Sequence, residues 1–383
     1  MRWREMVAVG PVLLLLHCDD NEILPRMPAD ASTPSVAPDA GTSDAAAEGG
    51  STAATVLAAS PGKDEDPSLV RAADGTFYVA WYSDRNGGDH LYIKSSTNGR
   101  DWSPDRALTN GSEHDFYPSL IQAADGTFHL VWWRGEVGDG GKLVGSIWTM
   151  HSKDTLIWSV PARLSEETNA LAWAPTIAER VPGELVVVWS TDESGQKDLR
   201  LRISKNGGVD WQAPTTLVEP AFADDLPFIV ARPGGALAMV WQRFDVGVTA
   251  LEAPFTHASN ELVYATSSDG VTWTPPLALT NDPPAAKLPD VIASLYPSND
   301  ATGLSVAWTS VRAADDPGRV YTMGIGKAPA VTANLVNLTE QGGYSARIVA
   351  AGDDRYLMAF VGSVPAADGG KNLEIFARYF MTK

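Results

Sequence analysis

The sequence predicts an all-β fold, a six-bladed β-propeller of four-stranded antiparallel blades. Three repeated signals predict it: a β-like run ending on an aromatic residue, a proline at a fixed distance before it, and a polar turn closed by tryptophan after it. The aromatic-ended runs are "FYVAW" to Trp81, "FHLVW" to Trp132, "LVVVW" to Trp189, "LAMVW" to Trp241, "LSVAW" to Trp308 and "YLMAF" to Phe360. β-branched and aromatic residues dominate them, and turn pairs such as Asp74-Gly75, Asp125-Gly126, Pro182-Gly183 and Gly234-Gly235 precede them.

Upstream, Pro67, Pro118, Pro175 and Pro227 each stand 14 residues before their tryptophan; Pro289 stands 19 before Trp308, and Ala346 14 before Phe360. One register therefore runs through all six units. Each unit reads as a first strand after the proline, a turn and the aromatic-ended second strand. A third strand such as "HLYIKSS" or "ELVYATS", the Trp-closed turn and a short fourth strand such as "RALT" or "LALT" follow. A repeat of about 50 residues with four strands has the proportions of a propeller blade. No amphipathic helix of useful length competes.

The sixth unit runs out at "LEIFARYF" (373–380) without a fourth strand, while "ATVLAAS" (54–60) precedes the first unit as a strand without a blade. Residues 54–58 are therefore expected to pair with the third strand of blade six, closing the ring and removing two exposed edges. The propeller domain is assigned to residues 53–383.

Residues 1–18 read as an export signal. Arg2 and Arg4 form a basic start, and Met6 to Leu16 an apolar stretch too short for a stable bilayer anchor. Residues 19–52, rich in Ala, Pro, Ser, Asp and Gly and nearly free of aromatics, cannot bury enough apolar area to offset ordering and read as a disordered tether. The expected location is outside the cytoplasm, at the cell envelope or secreted, and the expected state is a monomer.

A net charge of −18 and a pI near 4.7 oppose nucleic acids and anionic lipid surfaces, because the long-range field repels polyanions. The single cysteine, Cys18, excludes an intrachain disulfide and a cysteine-rich zinc site. Six histidines lack HExxH spacing, no GxSxG elbow follows a strand, and no phosphate loop GxxxxGK[ST] is present. No cofactor is expected, and no metal either, since Asp115, Asp224 and Asp225 do not form a compact loop of alternating acidic ligands.

The turns "SSTNGRDW" (95–102), "SKNGGVDW" (204–211) and "TSSDGVTW" (266–273), with a blurred copy "HSKDTLIW" (151–158), resemble the Asp-box of sialidases and related propellers. Thr97, Asn206 and Ser268 fall at the acidic position of that pattern. Glycines 99, 208 and 270 permit positive φ, a short polar side chain bonds the turn and the tryptophan packs between sheets, so the boxes are expected to be structural. The resemblance covers most of residues 54–380. The segment "LLLLHC" likewise resembles the bacterial lipoprotein processing site, which would make Cys18 a lipidated residue and a lipid the only membrane contact.

Two residues before the repeated proline position stand Glu65, Phe116, Trp173, Asp225, Lys287 and Tyr344, one ring by symmetry. Where sialidases carry an Arg-Ile-Pro motif whose arginine holds the substrate carboxylate, this chain has Glu65-Asp66-Pro67. Two carboxylates a few ångströms apart repel by roughly 1–4 kcal/mol at intermediate dielectric, so ordinary sialidase activity is not expected.

Other segments are similar to the family's machinery. "Gly343-Tyr344-Ser345" matches the segment with the tyrosine nucleophile, for which Asp225 or Glu65 could serve as base, and "Ser83-Asp84-Arg85…Asp89" matches the loop with the acid/base aspartate, leaving Asp84 and Asp89 both open. Phe116, Trp173, Lys287, Asp115 and Tyr117 complete a set of aromatic faces and polar groups suited to a glycan or glycoconjugate. The resemblance thus implies carbohydrate binding at the channel mouth and glycoside hydrolysis. The competing class is a non-catalytic scaffold or protein-binding propeller with a solvated rim and contacts through loops such as 244–260 or 310–319.

Overall fold

The computed structural model describes residues 53–58, 60, 62–137, 143–166, 171–217, 222–245, 261–280, 290–298, 303–310, 318–325, 336–339, 342–352, 354–365 and 371–381. The leader, tether and Cys18, Lys287, and most of loops 244–260 and 310–319 lie outside them.

Strand β1 is Thr55–Ala58. Blade one follows as β2 (Asp64–Arg71), β3 (Phe77–Ser83), β4 (His90–Ser96) and β5 (Arg106–Ala107), and blade two as β6 (His114–Gln122), β7 (Phe128–Val137), β8 (Leu143–Ser152) and β9 (Ala162–Arg163). Blade three comprises β10 (Ala172–Val181), β11 (Glu184–Thr191), β12 (Asp198–Ser204) and β13 (Thr215–Leu217); blade four, β14 (Phe222–Ala231), β15 (Leu237–Asp245), β16 (Glu261–Ser267) and β17 (Leu277–Ala278). Blade five contains β18 (Asp290–Pro297), β19 (Leu304–Ser310), β20 (Arg319–Gly324) and β21 (Val336–Asn337), and blade six β22 (Tyr344–Gly352), β23 (Arg355–Pro365) and β24 (Lys371–Met381).

These strands form six antiparallel four-stranded sheets arranged as a ring, a six-bladed β-propeller. In blade six the order is β1-β24-β23-β22, with Thr55 opposite Ala377 and Val56 opposite Phe376. Strand β1 thus occupies the place of a fourth strand, and the first and last segments of the described chain share a sheet. No helix among the described residues is long and apolar enough to cross a membrane.

The second strands make the core. Trp81, Trp132, Trp189 and Trp308 are fully buried and Trp241 almost so, each packed among aliphatic side chains of the neighbouring blade. Removing about 200 Å² of indole from water favours folding by about 5 kcal/mol per tryptophan, which makes the repeat a packing device.

The Trp-closed turns hold themselves. Asn98 Oδ1 accepts from the amides of Arg100 at 2.9 Å and Asp101 at 2.8 Å, and Asp269 Oδ1 from Val271 at 2.8 Å and Thr272 at 2.7 Å. The role expected of Thr97 and Ser268 falls one residue later, because Ser96 and Ser267 open these turns by accepting the Gly99 and Gly270 amides. Asn206 takes the Asp210 amide at 2.9 Å in the turn of blade three.

Each innermost strand breaks register with its partner at the same point, and the residue there is left-handed: Asp66, Tyr117, Ala174, Leu226, Ile292 and Ser345 have φ between 49° and 52°. Such bulges free backbone groups and re-aim side chains. Pro67, Pro118, Pro175 and Pro227 come next in four blades, where no ladder donor is needed.

Below the bulges, hydroxyls cross from blade to blade. Ser68 Oγ accepts the Leu120 amide at 2.9 Å, Ser119 Oγ the Ile177 amide at 3.3 Å, Thr176 Oγ1 the Ile229 amide at 3.3 Å, and Ser294 donates to the Ala346 carbonyl at 2.8 Å. Replacing Ser68 by Ala leaves the buried Leu120 amide without its acceptor, and the expected destabilisation is about 1–3 kcal/mol, read from the shift of the chemical denaturation midpoint.

Candidate functional site

The residue before each bulge stays paired to the second strand, which fixes the ring at the channel mouth: Glu65 opposite Tyr82, Phe116 opposite Trp133, Trp173 opposite Ser190, Asp225 opposite Gln242, Val291 opposite Thr309 and Tyr344 opposite Val361. In blade five the ring member is Val291, and Ala293 takes the proline position 15 residues before Trp308. Counting back to Pro289 therefore misplaced the register, and with it Lys287.

Ring closure sets blade six beside blade one. The Tyr344 hydroxyl donates to Glu65 Oε1 at 2.5 Å across 279 residues of sequence, and the Tyr82 hydroxyl donates to Glu65 Oε2. Glu65 and Tyr82 are buried, whereas Tyr344 is half-buried, so one of the two phenols meets solvent. Burial pushes the Glu65 carboxyl above its ordinary range, opposed by the two phenols and the Lys63 charge. Burial also raises Tyr82, with the negative charges of Glu65 and Asp66 adding to it.

The neighbouring carboxyls differ in their support. Asp66 keeps a solvent-facing edge but is ringed by protein; burial first, then Glu65, push it up to about 8, opposed by Arg347. Asp84 accepts the Lys63 amide at 2.8 Å and raises Glu65 through its charge. Asp89 lies 2.7 Å from His114 Nδ1 and acts on Tyr82 from the same side. The mouth of blade one thus gathers four carboxyls, two phenols, a lysine and a histidine.

Several expected site residues have other work. Asp225 accepts Lys197 Nζ at 2.5 Å and its own neighbour's amide, that of Leu226, at 2.7 Å, so of the two carboxylates proposed as base for Tyr344 only Glu65 touches it. Asp115 is fully buried, bound by Trp132 Nε1 at 2.8 Å and by Arg134 through Nε at 2.7 Å and Nη2 at 2.9 Å; it braces its blade and offers nothing to a ligand.

Phe116 is wedged between Tyr82, 4.8 Å away, and Trp133, 5.2 Å away, with 2% of its surface exposed. Trp173 is 7% exposed and lies under Lys197 Nζ at 5.3 Å. Neither presents an open face to a sugar. Tyr117, at the bulge itself, remains half-buried.

Tyr82 belongs to the centre and escaped the sequence reading, as did the part that Asp66 plays there and Arg347 on the strand below the bulge. Tyr82 follows Trp81 directly, and only the register across β2 and β3 reveals that it faces Glu65. Among the described residues no group of three or more His, Cys, Asp or Glu side chains is arranged to hold a metal ion.

No family model matches the chain, and no curated protein does. Solved structures share its fold. A protein of unknown function from Dyadobacter fermentans superposes with a TM-score of 0.66 at 15% identity, covering 86% of this chain and 98% of that one. The Penicillium chrysogenum α-L-arabinanase in complex with arabinobiose gives 0.61 at 13% identity over 85% and 98%. The leech intramolecular trans-sialidase with 2,7-anhydro-Neu5Ac gives 0.56 at 12% identity over 82% and 68%. The propeller is sialidase-like in fold.

The raised carboxyls carry a pH signature. Asp66 and the buried Glu374, which burial and the adjacent Asp64 charge push up to about 8, hold protons more tightly in the folded than in the unfolded chain. Their contribution to stability is complete below the ordinary carboxyl value of about 4 and is lost as pH rises toward 8. Thermal denaturation followed from pH 5 to pH 8 should show that fall for the wild type and a shallower one for Asp66→Asn.

Proposed function

We propose that this protein is a glycan-binding propeller of the cell envelope that hydrolyses a glycosidic bond at the Glu65–Tyr344 mouth. The single observation that carries the proposal is the 2.5 Å hydrogen bond from the Tyr344 hydroxyl to Glu65 Oε1. A phenol is a weak nucleophile until a carboxylate accepts its proton, and a buried carboxylate with a raised affinity for protons is matched to that task. Tyr82 holds the second oxygen of Glu65 and so aims the first at Tyr344.

In the proposed reaction Tyr344 Oη attacks the anomeric carbon while its proton passes to Glu65. The bond to the leaving oxygen breaks as that oxygen takes a proton from Asp89, positioned by His114, or from Asp84, positioned by the Lys63 amide. Water then releases the glycosyl group, with the same aspartate as base and Glu65 returning the proton to Tyr344.

The carboxyls at the mouth disfavour an anionic substrate and favour a neutral sugar. Fold neighbours that act on carbohydrates, the arabinanase with its arabinobiose among them, support that substrate class. The turns similar to Asp-boxes support kinship with the same propellers, and the basic start and apolar run within residues 1–18 support export.

The burial of Phe116 and Trp173 leaves the mouth without its expected stacking platforms, which favours one rival, a non-catalytic surface scaffold or protein-binding propeller. A glycan array probed with wild type and Tyr344→Phe, followed by a reducing-sugar assay on every bound glycan, separates the two. The hydrolase predicts binding by both proteins and a turnover rate at least about 100-fold lower in Tyr344→Phe. Binding by both with turnover by neither would overturn the hydrolase and leave a glycan-binding propeller, and binding by neither would leave the scaffold or protein-binding rival.

A further inference from the structure

Beneath the bulge ring the six inner strands enclose a cavity of about 530 Å³, running from the level of Ser68 and Arg347 to the strand ends at Ala72 and Gln122. Its walls mix aliphatic groups, Val70, Ile121 and Val230 among them, with polar side chains such as Ser68, Ser119 and Gln122. This volume lies away from Glu65 and Tyr344, which do not line it.

One cation sits at its inner end. Arg347, on β22 of blade six, places its guanidinium 4.9 Å from the ring of Phe228 on β14 of blade four, so the side chain reaches past blade five across the hub. Its sole hydrogen bond among the described residues runs from Nη1 to the Ala346 carbonyl at 3.0 Å, although a guanidinium has five N–H donors. Asp66 is the carboxyl whose charge it feels, and that group holds its proton up to about pH 8. Burial lowers Arg347 only to about 10, which leaves it charged at neutral pH.

The carboxyl among the lining residues, Glu179, is engaged as well. Glu179 accepts the Ala124 amide at 2.6 Å and the Gly183 amide at 2.8 Å, stitching blades two and three. Arg71, near the far end, lies over Phe77 at 5.6 Å and has no ion pair among the described residues. A chain with net charge −18 therefore turns two guanidinium groups, half-buried Arg347 and exposed Arg71, toward its hub cavity. Arg347 is half-buried and faces Asp66, yet most of its N–H donors carry no protein partner among the described residues, and an anion that meets them gains paired hydrogen bonds.

We propose that this cavity is a second binding site, separate from the mouth, for a small organic carboxylate whose head pairs with Arg347 and whose apolar body lies along the aliphatic groups of the wall. The planar guanidinium matches a carboxylate through paired N–H donors. An inorganic anion would satisfy the charge and leave the wall wet, so the organic acid is the better complement. The site does not depend on the hydrolase proposal.

Isothermal titration calorimetry with butyrate, butan-1-ol and butylamine tests it. Butyrate should bind saturably to wild type and to Tyr344→Phe with equal affinity, while the isosteric alcohol and amine give no saturable heat. Arg347→Met should weaken butyrate by at least about tenfold, with partial recovery in Arg347→Lys. Absence of butyrate binding, equal binding of the alcohol, unchanged affinity in Arg347→Met, or loss in Tyr344→Phe would each overturn the proposal. The ligand comparison on wild type decides the matter even if Arg347→Met does not fold.

Discussion

The inner strand of every propeller blade has one edge with no strand beside it, and this molecule is organised around satisfying that edge. Hydroxyl groups one level below the bulges do so by reaching into the next blade, from Ser68 to Leu120, Ser119 to Ile177 and Thr176 to Ile229. The bulges themselves use the same device: Ser190 accepts the Leu226 amide at 3.0 Å and Thr309 the Ser345 amide at 3.3 Å. Left-handed conformations at non-glycine residues, β-branched Ile292 included, persist because the surrounding blades over-determine them. The hub is thus a set of cross-links as well as a gap between sheets.

The chemistry at the mouth follows from that constraint. A bulge keeps the preceding residue in register with the second strand while turning the chain after it, which aligns Glu65 with Tyr82. Ring closure through blade six then delivers Tyr344 to the other oxygen of the same carboxylate. The first contact lies within blade one, whereas the second joins blade one to blade six, so the full centre exists only when the ring is complete.

Charge is partitioned along the axis. The mouth collects Glu65, Asp66, Asp84 and Asp89, while the hub beneath them holds Arg347. Asp66 stands at the boundary, where burial and Glu65 raise its affinity for a proton and Arg347 opposes them. Asp225 of the ring is neutralised by Lys197, and Asp115, beside the ring member Phe116, by Arg134.

The sequence by itself determined the six sheets, the packing tryptophans, the four-strand order and the two chain ends that meet, because strand periodicity, turn chemistry and repeat spacing are local quantities. It also placed Glu65 and Tyr344 in one ring by counting from Pro67 and Ala346. Only the tertiary structure decided which ring members touch. Val291 holds the fifth position because the turn between β18 and β19 is one residue longer, an insertion that repeat counting absorbs without trace. Phe116 and Trp173 became wall, since burial depends on Tyr82, Trp133 and Lys197 from neighbouring strands, and Asp225 became an ion pair for the same reason. The Tyr344–Glu65 contact and the Arg347 cavity join residues from distant parts of the chain, and such side-chain contacts depend on how the blades pack around the hub, which no local pattern encodes.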